Sequence, residues 1–239
     1  YSNEDAINDR KGTSVQGIVT FDRGDFSLTS TTAYRTFERF NRNDLDVSDA
    51  NAFGQNNYIE DSESFSQELT FTADLGTISL LGGAMYFEEE LFGEVRVPTI
   101  NLAQYFNIAL GTNLPADLFD GGNYLQSGTV KTEAVGAYLE GAIDITPSLT
   151  FTAGARYNWE KRSGTGRFTF DAQGIDIPTD KSGDWDAITP KFVLEYETAG
   201  GTLLYGKVTK GFKSGVVNIG SVNSVIDPED VWSYELGLR

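Results

Sequence analysis

The chain has 239 residues, no Cys, no His and one Met, and its 18 Lys+Arg against 35 Asp+Glu leave a formal charge of −17. These counts exclude a disulfide scaffold, thiolate metal sites, Ser–His or Cys–His catalysis and a surface built to grip phosphate backbones. At 39% hydrophobic and 13% aromatic the chain is too apolar to be disordered, and with no apolar run of helix-spanning length it has no membrane helix.

In chain order, alternation of apolar and polar residues predicts strands near 13–22, 25–40, 62–74, 77–92, 135–145, 149–160, 185–197, 202–213 and 230–239. Tyr1-Ser2-Asn3-Glu4-Asp5, ahead of them, has neither an initiator Met nor a signal-peptide pattern, so the expectation is a piece of a longer protein. In 62–74, Phe65, Leu69 and Phe71 take one face while Glu68, Thr70 and Thr72 take the other. In 135–145, Val135, Ala137, Leu139, Ile143 and Ile145 oppose Tyr138, Glu140 and Asp144. The pattern is clearest in 149–160, where Leu149, Phe151, Ala153, Ala155, Tyr157 and Trp159 oppose Thr150, Thr152, Arg156, Asn158 and Glu160. Thr146-Pro147-Ser148 joins these last two as a hairpin. Farther on, Ile188, Phe192, Leu194 and Tyr196 oppose Thr189, Lys191 and Glu195, and Trp232, Tyr234, Leu236 and Leu238 oppose Ser233, Glu235 and Arg239.

The connections alternate. Those at 22–25, 73–77, 145–149 and 198–202 are short, and those at about 41–61, 93–128, 163–184 and 214–229 are long. Short turns at one end and long loops at the other are the habit of an outer-membrane barrel. Ten residues at about 3.3 Å each, tilted by about 45°, project roughly 23 Å, close to the apolar band of such a barrel. Strand length and loop asymmetry therefore predict an all-β, antiparallel up-and-down transmembrane barrel segment with apolar residues facing lipid. Within the longest loop, Leu102, Tyr105, Phe106, Ala109 and Leu110 share a helical stripe between Asn101 and Gly111, which predicts a short helix over 101–111.

Leu149–Arg162 (LTFTAGARYNWEKR), Trp185–Tyr196 (WDAITPKFVLEY), Leu203–Gly215 (LLYGKVTKGFKSG) and Pro228–Arg239 (PEDVWSYELGLR) follow one another in an order that resembles the β-barrel of TonB-dependent outer-membrane receptors. Phe65–Phe71 (FSQELTF) and Leu80–Glu90 (LLGGAMYFEEE) look like earlier hairpins of that barrel. The resemblance implies a barrel of about 22 strands in the bacterial outer membrane, of which residues 1–239 are a partial barrel domain of about nine. It implies a plug domain inside that barrel, a TonB energy-coupling complex as partner, outer-membrane lipid around it, a small nutrient as cargo (by default an iron–siderophore complex), and no nucleic acid, cofactor or enzymatic step. Family barrels tend to end on an aromatic residue, and this chain stops at Arg239.

Several side chains are candidate sites. The loop aromatics Phe53, Tyr58, Tyr105, Phe106, Phe119 and Tyr124 could stack on a captured ligand or pack loop against loop. Glu68, Glu140, Asp144, Arg156, Lys191 and Glu235 would face the lumen, with ion pairing between wall and plug as the plain alternative to ligand contact. Asp44, Asp46 and Asp49 form an acidic loop with calcium-like spacing, but without the EF-hand glycine and terminal Glu. Of Glu88-Glu89-Glu90 at most two share a face. Lys210–Gly215 lacks phosphate-loop spacing and reads as a strand end near the plug. Pro190 is awkward inside a strand, although the family resemblance accepts it. Three alternatives stay open: a passive porin-like barrel, a soluble secreted β-sandwich that binds carbohydrate, and a barrel enzyme with its His elsewhere.

Overall fold

A computed structural model describes residues 5–44, 53, 56–119 and 121–239. In chain order it contains β1 (Ile7–Arg23), β2 (Phe26–Asn43), β3 (Asn56–Asp74), β4 (Ile78–Pro98), α1 (Leu102–Leu110), β5 (Asn123–Thr146), β6 (Leu149–Phe170), β7 (Ile175–Glu197), β8 (Leu203–Lys213), β9 (Val216–Val217), β10 (Val225–Ile226) and β11 (Glu229–Leu238). Nine of these make one antiparallel sheet in the order β1-β2-β3-β4-β5-β6-β7-β8-β11, while β9 and β10 pair only with each other. Neighbours in space are thus neighbours in sequence, apart from the small β9–β10 excursion. The tight ends carry the expected turn chemistry. Gly76 takes a left-handed φ of 86° and its N–H is held by the Asp74 carboxylate at 2.9 Å.

All nine expected strands are present, but most run farther than their alternation. Strand β5 begins at Asn123 where the pattern begins at 135, and β6 and β7 extend to Phe170 and back from Ile175. The expected long loop over 163–184 is therefore mostly ladder, closed by a 3-10 turn at Asp171–Gln173. The reason is environmental. Above the apolar band both faces of the wall meet water, so hydrophobic alternation ends while backbone pairing continues. Pro190 is accommodated because pairing of β7 with β8 starts only at Lys191, so it stands where the strand loses that neighbour.

The helix forms where the stripe predicts, ending on Gly111 at a φ of 64°. Asn101 makes no side-chain cap, and only Leu102 and Ala103 are buried while Leu110 is exposed. The stripe thus holds for the first turns and not the last.

Register places the expected faces together. Glu140, Gly154 and Lys191 stand in one row, and Leu139, Ala155 and Pro190 in the next. Among the described residues the only buried hydrophobics are Val97, Leu102, Ala103 and Val217, whereas Leu236, Tyr234 and Ile188 are exposed by 89%, 74% and 63%. A β-sandwich would supply a second large sheet to cover such a face; among the described residues the nine-stranded sheet has none over it. On the polar face Glu140, Arg156 and Lys191 are half-buried while their apolar neighbours Leu139, Tyr157 and Phe192 are exposed. The wall curls with the polar face inside. That geometry assigns the apolar face to lipid and resolves what alternation alone left open.

Candidate functional site

The inner face has two zones. Near the short turns, Lys191 Nζ donates to Glu140 Oε2 at 2.7 Å. Arg156 donates from Nε to Asn158 Oδ1 at 2.5 Å, contacts Met85 Sδ at 2.9 Å, and lies over the Tyr138 ring at 5.7 Å. Glu68 joins Glu140, Arg156 and Lys191 around one depression in the wall. The other two expected wall residues lie apart. Asp144 accepts from Thr150 Oγ1 at 2.7 Å beside the turn, and Glu235 accepts from Tyr205 Oη at 2.6 Å with Lys207 at 3.8 Å. By register all six side chains share one face of the wall, but only four form a cluster. Two acids and two bases there balance, which suits a wall that pairs its own charges or meets a mixed surface.

The boundary of the apolar band is marked on the outer face by Tyr34, Phe65, Tyr86 and Trp159. Tyr34 donates to Glu63 at 3.1 Å and Tyr86 to Glu88 at 2.9 Å, each phenol reaching toward water from a ring in the apolar zone. Glu90 pairs with Lys131 at 2.7 Å on that same outer side, while Glu89 takes the inner one. The triple-Glu run thus straddles the wall where the strands leave lipid.

Above that boundary the inner face carries the aromatics. Tyr124 packs on Phe168 with centroids 4.9 Å apart, and Phe119 stacks on Phe170 at 6.0 Å and 19°. Tyr58 carries the Arg39 guanidinium 5.1 Å from its ring centroid, and Arg39 pairs with Glu60 at 3.6 Å. Tyr105 and Phe106 meet edge-on at 6.0 Å within α1. Phe53 bridges to Thr99, the buried foot of the 99–122 loop, whose hydroxyl donates to the Phe119 and Gly122 carbonyls. The loop aromatics therefore occupy several stations along the upper wall, not one pocket. Asp44 is half-buried just past β2, and Asp46 and Asp49 lie outside the described residues. Among the described residues no group of three or more acidic side chains is placed to hold a metal.

The long connection expected at about 214–229 does more than join two strands. From Ser214 the chain leaves β8 and runs as a strap over the inner face of β5–β7 before β11. Ser214 Oγ donates to Glu160 at 2.7 Å, the Gly220 N–H donates to Thr179 Oγ1 at 2.7 Å, and Val217 is buried. Trp185 packs beside Gly215. Lys210–Gly215 is thus a strand end that opens this strap, with Lys210 and Lys213 paired to Asp230 and Glu229. Phe168, Phe170, Trp185 and Arg39 complete the upper wall; their only sequence signal is parity with the inner residues of their strands.

The family model described as TonB dependent receptor-like, beta-barrel, matches residues 1–239. No curated protein matches the sequence. Among solved structures, the ferric yersiniabactin uptake receptor FyuA from Yersinia pestis superposes with a TM-score of 0.73 at 14% identity, covering 98% of this chain and 33% of that one. The siderophore receptor PiuA from Acinetobacter baumannii gives 0.74 at 18%, covering 97% and 38%, and the copper transporter OprC gives 0.67 at 12%, covering 96% and 37%. At such identities these likenesses show the fold alone, and the chain spans well under half of each relative. The family match over the whole length, the single lipid-facing wall and the up-and-down order agree: the chain belongs to the TonB-dependent receptors, as a stretch of their bacterial outer-membrane β-barrel.

Proposed function

We propose that this stretch serves a receptor that imports a scarce nutrient across the outer membrane, with an iron–siderophore complex as cargo. The observation that carries the reading is the whole-length match to the receptor barrel. FyuA, described as a ferric yersiniabactin uptake receptor, and PiuA, described as a siderophore receptor, favour iron over the copper of OprC. In this reading residues 1–239 are part of a barrel domain whose remaining strands and plug belong to the parent protein. The charged inner zone of Glu68, Glu140, Asp144, Arg156, Lys191 and Glu235 faces that plug. Tyr58, Tyr105, Phe106, Phe119 and Tyr124, with Phe53, line the route of capture above the membrane. The TonB complex pulls on the parent through its coupling segment, and the cargo crosses without any bond being made or broken.

The test is uptake of radioactive iron by iron-starved Gram-negative cells that lack their own ferric-chelate receptors and express the full-length gene. Hydroxamate, catecholate and citrate chelates are offered with and without a working coupling complex. Uptake of at least one chelate, lost with the complex, is the expected result. Uptake indifferent to the complex identifies a passive pore, and uptake of none overturns the iron reading.

A further inference from the structure

Gly93, Gly128 and Gly166 stand directly opposite one another on β4, β5 and β6, all on the inner face. Glycine inside a strand weakens a sheet and usually marks close approach by something else. Three in one row make a trough across the wall with bare backbone as its floor. One end of that trough has its occupant. A Cβ at Gly128 or Gly166 would first meet the carbonyl of Thr165 or Ser127 on the paired strand and then Ile219 Cγ2 at 3.0 or 2.9 Å, and one at the neighbouring Gly164 would lie 2.7 Å from Val217 Cγ1. Close strand pairing and the strap together account for those glycines. They do not account for Gly93, where an added Cβ would meet nothing within 4 Å.

The space over Gly93 is walled by Tyr58, Leu91, Val95, Val130, Val217 and Ile219. The one amide side chain from the sheet at its edge, Gln126, is already spent: Nε2 donates to the Ile219 carbonyl and Oε1 accepts from Tyr124 at 3.3 Å. Arg39, beside Tyr58, pairs with Glu60 at 3.6 Å through one terminal nitrogen, while its buried Nε makes no hydrogen bond. What this slot offers a ligand is mainly carbon surface, an aromatic ring and a flat floor, with Asn218 of the strap at its rim. Gly93 is seven residues past Tyr86, so at about 3.3 Å per residue and about 45° of tilt it stands roughly 16 Å outside the apolar band. Lipid cannot fill it.

We infer that the slot over Gly93 binds a flat aromatic ring of the imported ligand, seated on β4 backbone between Tyr58 and the strap. The inference rests on the receptor reading above and names the chemistry of one ligand group. Close backbone approach requires the glycine, and the ring face of Tyr58 supplies an aromatic partner.

The test uses the full-length receptor in detergent, with the iron(III) complex of catechol as the ring-bearing probe and iron(III) citrate as the ringless one. Gly93→Val, which suits a strand but fills the slot, should weaken catechol-complex binding at least about tenfold. Tyr58→Leu should weaken it as well, and Tyr58→Phe should not. Citrate-complex binding should fall by much less than catechol-complex binding in Gly93→Val and Tyr58→Leu. Gly17→Val, on the outer face of β1 where a Cβ also meets open space, controls for loss of a strand glycine. If Gly93→Val does not fold, the two Tyr58 variants decide. The inference is overturned if the wild type does not bind the catechol complex, if both slot variants bind it within about twofold of wild type, or if citrate binding falls equally. Energised uptake of a ringless chelate that survives in every variant, beside catechol-complex binding that no slot variant weakens, would refute the slot while leaving the receptor reading standing.

Discussion

Leu139 offers the sharpest measure of which solvent the apolar face meets. It lies on the outer face of β5, opposite Gly82 and Ala155, and those small neighbours leave it 54% exposed. The apolar stretch of β5 runs from Val135 to Ile145, with Glu133 the next outer residue. Leu139 is four residues from one limit and six from the other, or about 9 and 14 Å in depth at ~3.3 Å per residue and ~45° tilt. That is near the middle of the bilayer. An arginine there should cost about 2–4 kcal/mol, a shift of roughly 30- to 900-fold in the folding equilibrium. In water the same change at an exposed leucine would stay within about 0.5 kcal/mol.

The internal control is Thr129, on the same face of the same strand and six residues beyond Val135. It lies about 14 Å outside the band, so Thr129→Arg should cost no more than ~0.5 kcal/mol. Urea titration of the full-length receptor in lipid vesicles, followed by tryptophan fluorescence, measures both. Equal shifts for the two variants, or a negligible one for Leu139→Arg, would refute the assignment of this face to lipid.

Two further outcomes test the inner face. Lys191→Met leaves Glu140 without its 2.7 Å partner, and because the two side chains are 39% and 29% exposed the pair is screened. A double-mutant cycle with Glu140→Gln should give a coupling of only about 0.5–1 kcal/mol, shrinking with added salt. Gly164→Leu drives a side chain into the seat of Val217. It should release the strap, speeding limited proteolysis within 214–228 while the unfolding midpoint of the barrel barely moves.

The hairpin of β5 and β6 was legible because one of its faces meets lipid. Over 149–160 every second residue changes polarity, and the shared face of Arg156, Glu140 and Lys191 follows from such alternation in their three strands, while strand length and loop asymmetry aim that face inward. Nothing comparable exists over 161–170 or 175–184, where Lys161 faces out and Arg162 faces in and both meet water. Strand bounds drawn from alternation therefore stop at the membrane surface. The strap was illegible for a different reason. Its contacts are non-local, joining Gly220 to Thr179 and Ile219 to Gln126 across 41 and 93 residues. One signal was available: Gly128, Gly164, Gly166 and Gly183 all share inner parity, and glycine confined to one face of a wall marks a surface that something lies on.

A single wall between lipid and water cannot be held by a packed interior, so the backbone ladder carries the structure and the side chains answer to whichever medium they face. The few buried apolar residues obey this division. Val97, Leu102 and Ala103 gather at the foot of the 99–122 loop, and Val217 anchors the strap; all belong to the part above the lipid. Burying a valine or leucine contributes about 1.5–3 kcal/mol, enough to seat one loop and far less than the ladder that spans the membrane. The upper layer is thus a separate tier of stability, able to open locally while the wall stays formed. A receptor whose capture surface lies in that tier can reshape its loops around a ligand without disturbing the barrel that holds it in the membrane.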